Sequence, residues 1–204
     1  MEAFVKIDTM KCFQFLLLLL FSAPVFAQLG FCEGSKGDPI FHESFGNGSG
    51  TGPALPPGLT NYSYVKGDPD DGQYTISDRI GQDNFTWHSQ FPNTTISRGR
   101  ALVVNASFTS GQFYRTEINN LCQNTTYEFS AFLMNVYNRS HTVCENGGIP
   151  INVRFEIWDQ TETVILKAGS TGSLASTSTP QWKQFALTFQ SKAGQESVIL
   201  KMYT

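Results

Sequence analysis

Charged residues are scarce in this sequence, and basic residues are scarcer than acidic ones. Only 15% of the 204 residues are charged, with 14 lysines and arginines against 17 aspartates and glutamates. The basic residues form no patch, which argues against a nucleic-acid-binding protein. Sustained helical periodicity with caps is also missing, which argues against a helical fold.

Recognised catalytic motifs are absent as well. There are only three histidines, His42, His88 and His141, and none lies in a G-x-S-x-G, H-E-x-x-H or C-x-x-C context. Acidic residues alone do not indicate a glycosidase, because that chemistry depends on the separation of two carboxylates. We therefore predict a non-catalytic protein, with a fragment of a hydrolase as an alternative.

The one long apolar run, Phe15–Phe21, is shorter than the roughly 20 residues that a transmembrane helix requires. Two lysines precede the run, and Val25-Phe26-Ala27 follows it as a small-residue cleavage site. This order predicts a signal peptide over residues 1–27, a secreted or cell-surface location and no transmembrane anchor. By length, residues 28–204 form one domain.

Aromatic residues, in contrast, are plentiful at 13%, and they alternate with other residues as in β-strands. In the stretch from Tyr127 to Met134, Tyr127, Phe129, Ala131 and Leu133 fall on one face. Gln123–Thr125 precedes this strand as a turn, and Phe113–Ile118 reads as the strand before it, with Phe113, Arg115 and Glu117 on one face. The arrangement predicts a β-hairpin.

Alternation elsewhere predicts further strands. In one of them Val153, Phe155 and Ile157 are expected to face inward, and the intervening residues Arg154, Glu156 and Trp158 outward. Asp78–Arg98 is predicted to be a long loop, and Gly67–Gly72 a hairpin turn rather than a calcium loop, because Arg79 stands where the last calcium ligand should be. The fold class is therefore all-β, an antiparallel β-sandwich of about nine or ten strands. The other predicted strands are Phe41–Phe45, Tyr62–Lys66, Gln73–Ser77, Asn152–Asp159, Thr163–Ala168, Trp182–Gln190 and Ser197–Met202.

Five short motifs together carry a resemblance to a known family. The chain resembles the N-terminal jelly-roll module of large secreted surface proteins of Bacteroidetes, the gliding-motility-associated and adhesin-like substrates of the type IX secretion system. Those modules are similar to carbohydrate-binding and galactose-binding-like sandwiches and, more distantly, to MAM domains. The resemblance covers roughly Cys32 to Met202 and rests on the motifs Ala101–Ala106, Gln112–Arg115, Leu121–Ala131, Ile149–Val153 and Gln181–Gln184.

The resemblance implies a jelly-roll sandwich that belongs to a longer multidomain protein. In the family a further loop and a final strand with adjacent aspartates and a cysteine follow, so the domain is expected to be incomplete at its C-terminus. Related sandwiches hold a structural calcium between the first and last strands, which makes Glu43 an expected ligand of an incomplete site. Cys32 would then lack the partner that the family offers it.

Cys122 and Cys144 flank the strand that begins at Tyr127. In an exported protein disulfides persist, so we predict that these two cysteines form one. A zinc site that includes His141 is the alternative, although no C-x-x-C pair supports it.

Trp87, Tyr62, Tyr64 and Tyr114 are the candidate ligand-binding residues, because together they could form an aromatic platform on which a sugar ring stacks. Each could equally be a core residue. Arg115 is either a bidentate donor to a ligand or the partner of a cross-strand carboxylate. The predicted ligand is a polysaccharide or cell-surface glycan, and a structural spacer domain without a small ligand is the alternative function.

Overall fold

The structure is a computed structural model, which describes residues 29–31, 36–92 and 99–204. The predicted signal peptide and Cys32 lie outside the described residues. The described chain is all-β and contains no helix, which confirms the predicted class. Its nine strands are β1 (Ser63–Tyr64), β2 (Gln73–Ser77), β3 (Ala101–Asn105), β4 (Gln112–Asn119), β5 (Thr126–Leu133), β6 (Arg154–Trp158), β7 (Ile165–Ser170), β8 (Lys183–Gln190) and β9 (Ser197–Tyr203).

The largest sheet has four antiparallel strands in the order β4-β9-β6-β7. Its inner face is apolar: Val153 is 4% exposed, Phe155 1% and Ile157 0%, as their alternation predicts. The register shifts between Gln112 and Tyr114 in β4, as in a β-bulge. Phe113 is therefore buried beside Tyr114, and the prediction that it shares a face with Arg115 is wrong.

Two smaller sheets, β1-β2-β3 and β5-β8, share one core with the four-stranded sheet. Phe129 of β5 meets Phe155 of β6 edge-on, with ring centroids 5.6 Å apart. The inward residues of β8, namely Phe185, Leu187 and Phe189, belong to the same core. The partly buried residues of β5 that pack against this core are Tyr127, Phe129, Ala131 and Leu133, the face predicted from alternation.

The predicted hairpin of β4 and β5 is wrong. β4 pairs with β9 and β5 pairs with β8 over eight residues, both antiparallel. The turn before β5 is tied to β8, because the N–H of Thr125 donates to Ser191 Oγ at 3.0 Å and Ser191 donates its N–H back to Thr125. Alternation sets which face of a strand is buried, but it does not choose the neighbouring strand.

The second predicted hairpin is wrong too, because β1 runs parallel to β2. The connection between them is organised by Asp68, whose carboxylate accepts the backbone N–H groups of Gly81 at 2.8 Å and of Asp83 and Asn84 at 2.9 Å. This carboxylate therefore ties the connection to the loop after β2 instead of closing a tight turn.

Phe41–Phe45 is not a strand. It has no ladder partner among the described residues, and Phe45 has a φ of 56°, which breaks an extended conformation. Phe41 and Phe45 still pack against the core. Two aromatic side chains of this segment thus contact the core, although the segment is not part of a sheet in the described chain.

Candidate functional site

The predicted aromatic platform is not assembled, because two of its members are core residues. Tyr62 is 8% exposed and its hydroxyl bonds Thr204 Oγ1 at 2.7 Å. Tyr114 is 4% exposed, lies edge-on to Phe45, and burial raises the pKa of its hydroxyl well above its usual value. For these two tyrosines the core alternative is correct.

The other two aromatic residues lie in different places. Tyr64 donates its hydroxyl to the Gly52 carbonyl at 2.6 Å and contacts the Tyr74 ring, with centroids 5.5 Å apart. Trp87 is half-buried and forms an isolated backbone bridge with Tyr137. The four side chains therefore do not present one surface to a ligand.

Arg115 is partnered, as the structural alternative predicted, but its partner comes from a loop. Its Nε donates to Glu162 Oε1 at 2.9 Å, and its Nη2 contacts the same oxygen. Lys201 Nζ lies 2.6 Å from the other oxygen, Oε2. These two cations, Arg115 more strongly than Lys201, hold the pKa of the Glu162 carboxyl below its usual value.

The neighbouring strand carries a second network. Glu156 is 7% exposed and accepts Arg154 Nε at 2.5 Å and the indole N–H of Trp158 at 2.8 Å. Lys201 lies over the Trp158 ring, 4.4 Å from its centroid, which is within cation–π range. The two networks therefore meet at Lys201.

The strand register explains why these residues meet. Arg115 pairs with Lys201, and Lys201 pairs with Glu156, so the three form a row across β4, β9 and β6. Their side chains point away from the core, because Tyr114 and Phe155 beside them point into it. We call this surface, made by residues Arg115, Arg154, Glu156, Trp158, Glu162, Lys201 and Tyr203, the polar face.

Glu162 reaches the polar face because the loop after β6 folds back. Asp159 accepts hydrogen bonds from Thr161 and from the backbone N–H groups of Val164 and Thr163, and these bonds lower the pKa of its carboxyl well below the usual value. Glu162 itself has a φ of 57°. The Asp159 turn thus fixes the position of Glu162 over the sheet.

A pocket of about 320 Å³ opens at one end of the polar face. We call it the Tyr203 pocket. Burial raises the pKa of the Tyr203 hydroxyl, against the opposing effect of the nearby Lys201 ammonium. Besides Tyr203, the pocket is lined by six residues whose side chains carry a hydroxyl, an amide or a charge: Ser110, Asn152, Arg154, Glu156, Ser170 and Thr204.

This lining can bind a polar ligand but does not show a catalytic constellation. Glu156 is the one carboxylate among the lining residues, whereas glycoside hydrolysis requires two. The lining also contains no histidine or cysteine that could activate a nucleophile. Hydroxyl, amide and guanidinium groups beside an aromatic ring are the groups that fix the orientation of a small polar ligand.

The predicted disulfide is wrong, because Cys122 and Cys144 are both exposed free thiols. Cys122 lies beside Ser191 at the start of β5, and its carbonyl accepts the Ser191 hydroxyl at 2.6 Å. Cys144 lies beyond the end of β5, where its N–H donates to the Tyr137 hydroxyl at 3.1 Å. The eight residues of β5 span about 27 Å, far beyond the ~7 Å Cα separation that a disulfide bridges.

Neither a zinc nor a calcium site is assembled in the described part of the chain. No group of three histidine, cysteine or acidic side chains there is placed to hold a metal ion. Glu43 accepts the N–H of Phe45 at 2.7 Å, so one of its oxygens stabilises its own loop. Calcium binding at Glu43 stays a prediction.

Comparison with known proteins gives no relative from which a function could be transferred. No protein-family model matches the chain, and no curated protein and no solved structure matches it. The described residues also contain no helix that is long and apolar enough to cross a membrane. The candidate site therefore rests on the geometry of the polar face.

Sequence reasoning identified only Arg115 among the residues of the polar face. It did predict that Arg154, Glu156 and Trp158 point away from the core, which is confirmed. Tyr203 and Lys201 were missed as site residues because their role depends on the pairing of β9 with β4 and β6. The signal available in the sequence was the pair Glu156 and Trp158, two residues apart on the outward face of a predicted strand.

Proposed function

We propose that this protein is a secreted or cell-surface binding module of the jelly-roll sandwich type, which recognises carbohydrate at the Tyr203 pocket without catalysis. The observation that carries the proposal is the composition of the pocket lining: an aromatic ring surrounded by hydroxyl, amide, guanidinium and carboxylate groups on a rigid sheet. Sugar hydroxyls both donate and accept hydrogen bonds, and such mixed side chains can satisfy both functions.

The charges around the pocket favour a neutral glycan. The two charged side chains of the pocket lining, Arg154 and Glu156, are paired with each other. Outside the lining, Arg115 and Lys201 share Glu162. Paired charges leave little net attraction for an anionic ligand, whereas their remaining lone pairs and N–H groups still form directed hydrogen bonds. Because the partners hold each other, the pocket is also preorganised before a ligand arrives.

The same pairing supports a second candidate, a structural spacer domain. Glu156 and Lys201, 7% and 8% exposed, have their charges satisfied within the polar face. A network of this kind stabilises a sheet face without any ligand. The two functions differ in whether the folded protein binds glycans.

Glycan arrays and pull-downs with insoluble polysaccharides test the proposal. Asn152 and Tyr203 are the residues to change, since Asn152 is exposed and Tyr203→Phe keeps the ring. We expect that Asn152→Ala and Tyr203→Phe each weaken binding by about tenfold, the cost of a lost hydrogen bond to a ligand.

Asn119→Ala is the matched control, because Asn119 is an exposed asparagine at the opposite end of the same sheet, paired with Ser197. It should leave binding unchanged. A Trp87→Ala variant tests the predicted loop site separately. If only Trp87→Ala loses binding, the Tyr203 pocket is not the site. If a folded sample binds no glycan at all, the spacer function replaces the proposal.

A further inference from the structure

A large groove runs between the two smaller sheets, on the side of the molecule away from the polar face. Its volume is about 1380 Å³, and its lining is mostly apolar. The walls are β3 on one side and β5 on the other, both of which line the groove along their whole length. The floor is the inner face of the four-stranded sheet, with Tyr114, Ile118, Val198, Leu200 and Met202.

The edge of β3 that faces the groove has unpaired backbone groups. In β2, the carbonyls of Tyr74 and Ile76 accept N–H groups from Val65 and Gly52, on the side away from β3. Successive residues of a strand direct their backbone groups to opposite sides, so Thr75 and Ser77 are residues that bond β3. At the start of β2 the Gly72 N–H donates to the Asn105 carbonyl of β3.

The register then identifies the free positions of β3. Thr75 pairs with Val103, and the β2 residues two positions before and after it pair with Asn105 and Ala101. Leu102 and Val104, between them, direct their N–H and C=O groups away from β2, and no strand in the described chain pairs with them there.

The same reasoning applies to β5. Ser191 donates its N–H to the Thr125 carbonyl, so every second residue from Thr125 onward bonds β8. Ser130 and Phe132 therefore direct their backbone groups away from β8, towards the groove. The hydrogen bonding of Ala186, which pairs with Ser130, supports this alternation. The Ala186 carbonyl accepts the Gly30 N–H on the side of β8 away from β5, so Ala186 and Ser130 do not bond each other.

A third segment lies along the groove and forms no strand in the described chain. Residues 36–45 line it throughout, and the stretch Phe41–Phe45 has the side-chain pattern of a strand without a ladder. Ile40 in this segment is 53% exposed, which is unusual for isoleucine beside an apolar cavity. Two strand edges and one strand-like segment thus face a single apolar groove with no strand between them in the described chain.

We infer that the groove is a strand-acceptor site, which binds one extended segment of a partner polypeptide by β-augmentation. An extended backbone offers N–H and C=O groups on both of its edges, which can pair with Leu102 and Val104 on one side and with Ser130 and Phe132 on the other. Its side chains must alternate, with apolar residues towards the floor and polar residues outward.

The charges of the lining indicate the outward residues of this segment. The charged lining residues are four acids, Asp38, Glu43, Asp71 and Glu128, and two bases, Lys36 and Arg100. Lys36 already pairs with Glu128 at 2.7 Å, so the surplus of negative charge comes from the other acids. A lysine-bearing strand is therefore favoured over an acidic one. Asn152 and Thr204 line both the groove and the Tyr203 pocket. This inference is nevertheless separate from glycan binding, because the four groove-facing backbone positions on β3 and β5 do not line the Tyr203 pocket.

A synthetic peptide of about ten residues, which alternates valine or isoleucine with lysine or threonine, is the probe. Binding is measured by calorimetry, and amide hydrogen exchange is followed by NMR. We expect slower exchange at Leu102, Val104, Ser130 and Phe132 in the presence of the peptide. The segment Phe41–Phe45 should gain protection as well.

Two controls separate strand pairing from simple apolar adsorption. A peptide of the same sequence that is N-methylated at alternate residues cannot donate its backbone hydrogen bonds on one side, and it should bind about tenfold more weakly. The variant Ser130→Pro removes the groove-facing N–H, which an edge strand tolerates, together with the hydroxyl that accepts Gln184 Nε2, and it should weaken binding by about tenfold. Ser130→Ala keeps that N–H and should bind like the unchanged protein.

The inference is overturned if the alternating peptide does not bind, or if its N-methylated form binds equally well. Binding without protection of the four groove-facing amides also contradicts it, because a lipid-like or detergent-like occupant would fill the groove without pairing. Protection of the same amides at high protein concentration without peptide, together with dimer formation in sedimentation, would assign the groove to a second copy instead.

Discussion

Glu162 illustrates how a single residue holds the polar face together. It connects the loop after β6 to Arg115 on β4 and to Lys201 on β9. Lys201 is only 8% exposed, so its ammonium depends on nearby acceptors and on the Trp158 ring. A residue that no sequence motif singles out is therefore the centre of a network of three elements.

Replacing Glu162 with glutamine should lower the free energy of unfolding by about 1–2 kcal/mol near neutral pH, since two cations lose their partner. Because the folded protein lowers the pKa of this carboxyl from 4.5, its contribution is present above pH 4.5 and is lost as the pH falls through the folded value. Urea unfolding at about pH 7 and about pH 3 measures this.

The difference between the unchanged protein and Glu162→Gln should thus shrink at the lower pH. Glu145→Gln is the control, because Glu145 is an exposed glutamate on a loop, and it should have almost no effect. An equal loss of stability at both pH values would show that the carboxylate charge is not what stabilises the face.

His88 gives a second prediction at the residue scale. It is 4% exposed, and its Nε2 has no hydrogen-bond partner among the described residues. Burial lowers the pKa of the imidazole from 6.5, with the nearby His141 acting in the same direction. The unfolded chain therefore takes up this proton first, and stability should decline as the pH falls below 6.5.

An NMR titration of the histidine ring protons checks this directly. The midpoint for His88 should lie below 6.5 in the folded protein. A midpoint at or above that value would mean that the hydrogen bond to the Thr177 backbone, which raises this pKa, outweighs burial.

At the scale of elements, the sequence predicts strands better than it predicts their partners. β5, β6 and β8 were located from alternation, because one face of each must be apolar to join the core. The strands that they pair with were not predicted, because β5 pairs with β8 some fifty residues later in the chain. The turn residues between them are the same whether β5 pairs with β4 or with β8. The Tyr203 pocket was unpredictable for this reason, because its walls come from strands that are distant in sequence.

The contrast between β6 and β7 can be measured. Ile157 in β6 is 0% exposed, whereas Ile165 at the start of the edge strand β7 is 42% exposed. Ile157→Ala should destabilise the protein by about 2–5 kcal/mol, because it leaves a cavity in the shared core. Ile165→Ala should cost less than about 1 kcal/mol. Similar losses for the two variants in urea unfolding would place the core elsewhere.

The two ends of β5 carry a further prediction. Cys122 and Cys144 should both react with iodoacetamide in the native protein without a reductant, since both are exposed and too far apart to pair. Peptide mass spectrometry reads the two sites separately. A linked pair of peptides containing both cysteines would contradict the strand arrangement around β5.

At the scale of the whole molecule, the four-stranded sheet separates two surfaces of different character. Its outer side carries the paired charges of the polar face and the Tyr203 pocket, and its inner side forms the floor of the apolar groove. The amino-acid composition predicted an all-β protein with binding surfaces, but not that these surfaces would lie on opposite sides of one sheet. That division follows from the outward row of Arg115, Lys201 and Glu156.

The most direct test of the account is an NMR titration of the protein with neutral oligosaccharides, in which backbone amide shifts locate the bound sugar. The account predicts that the perturbed amides cluster at Asn152, Ser170, Tyr203 and Thr204, around the Tyr203 pocket. Asn119, at the far end of the sheet, should be unaffected. Shifts confined to the loop that contains Trp87, or no shifts with any sugar at millimolar concentration, would contradict it.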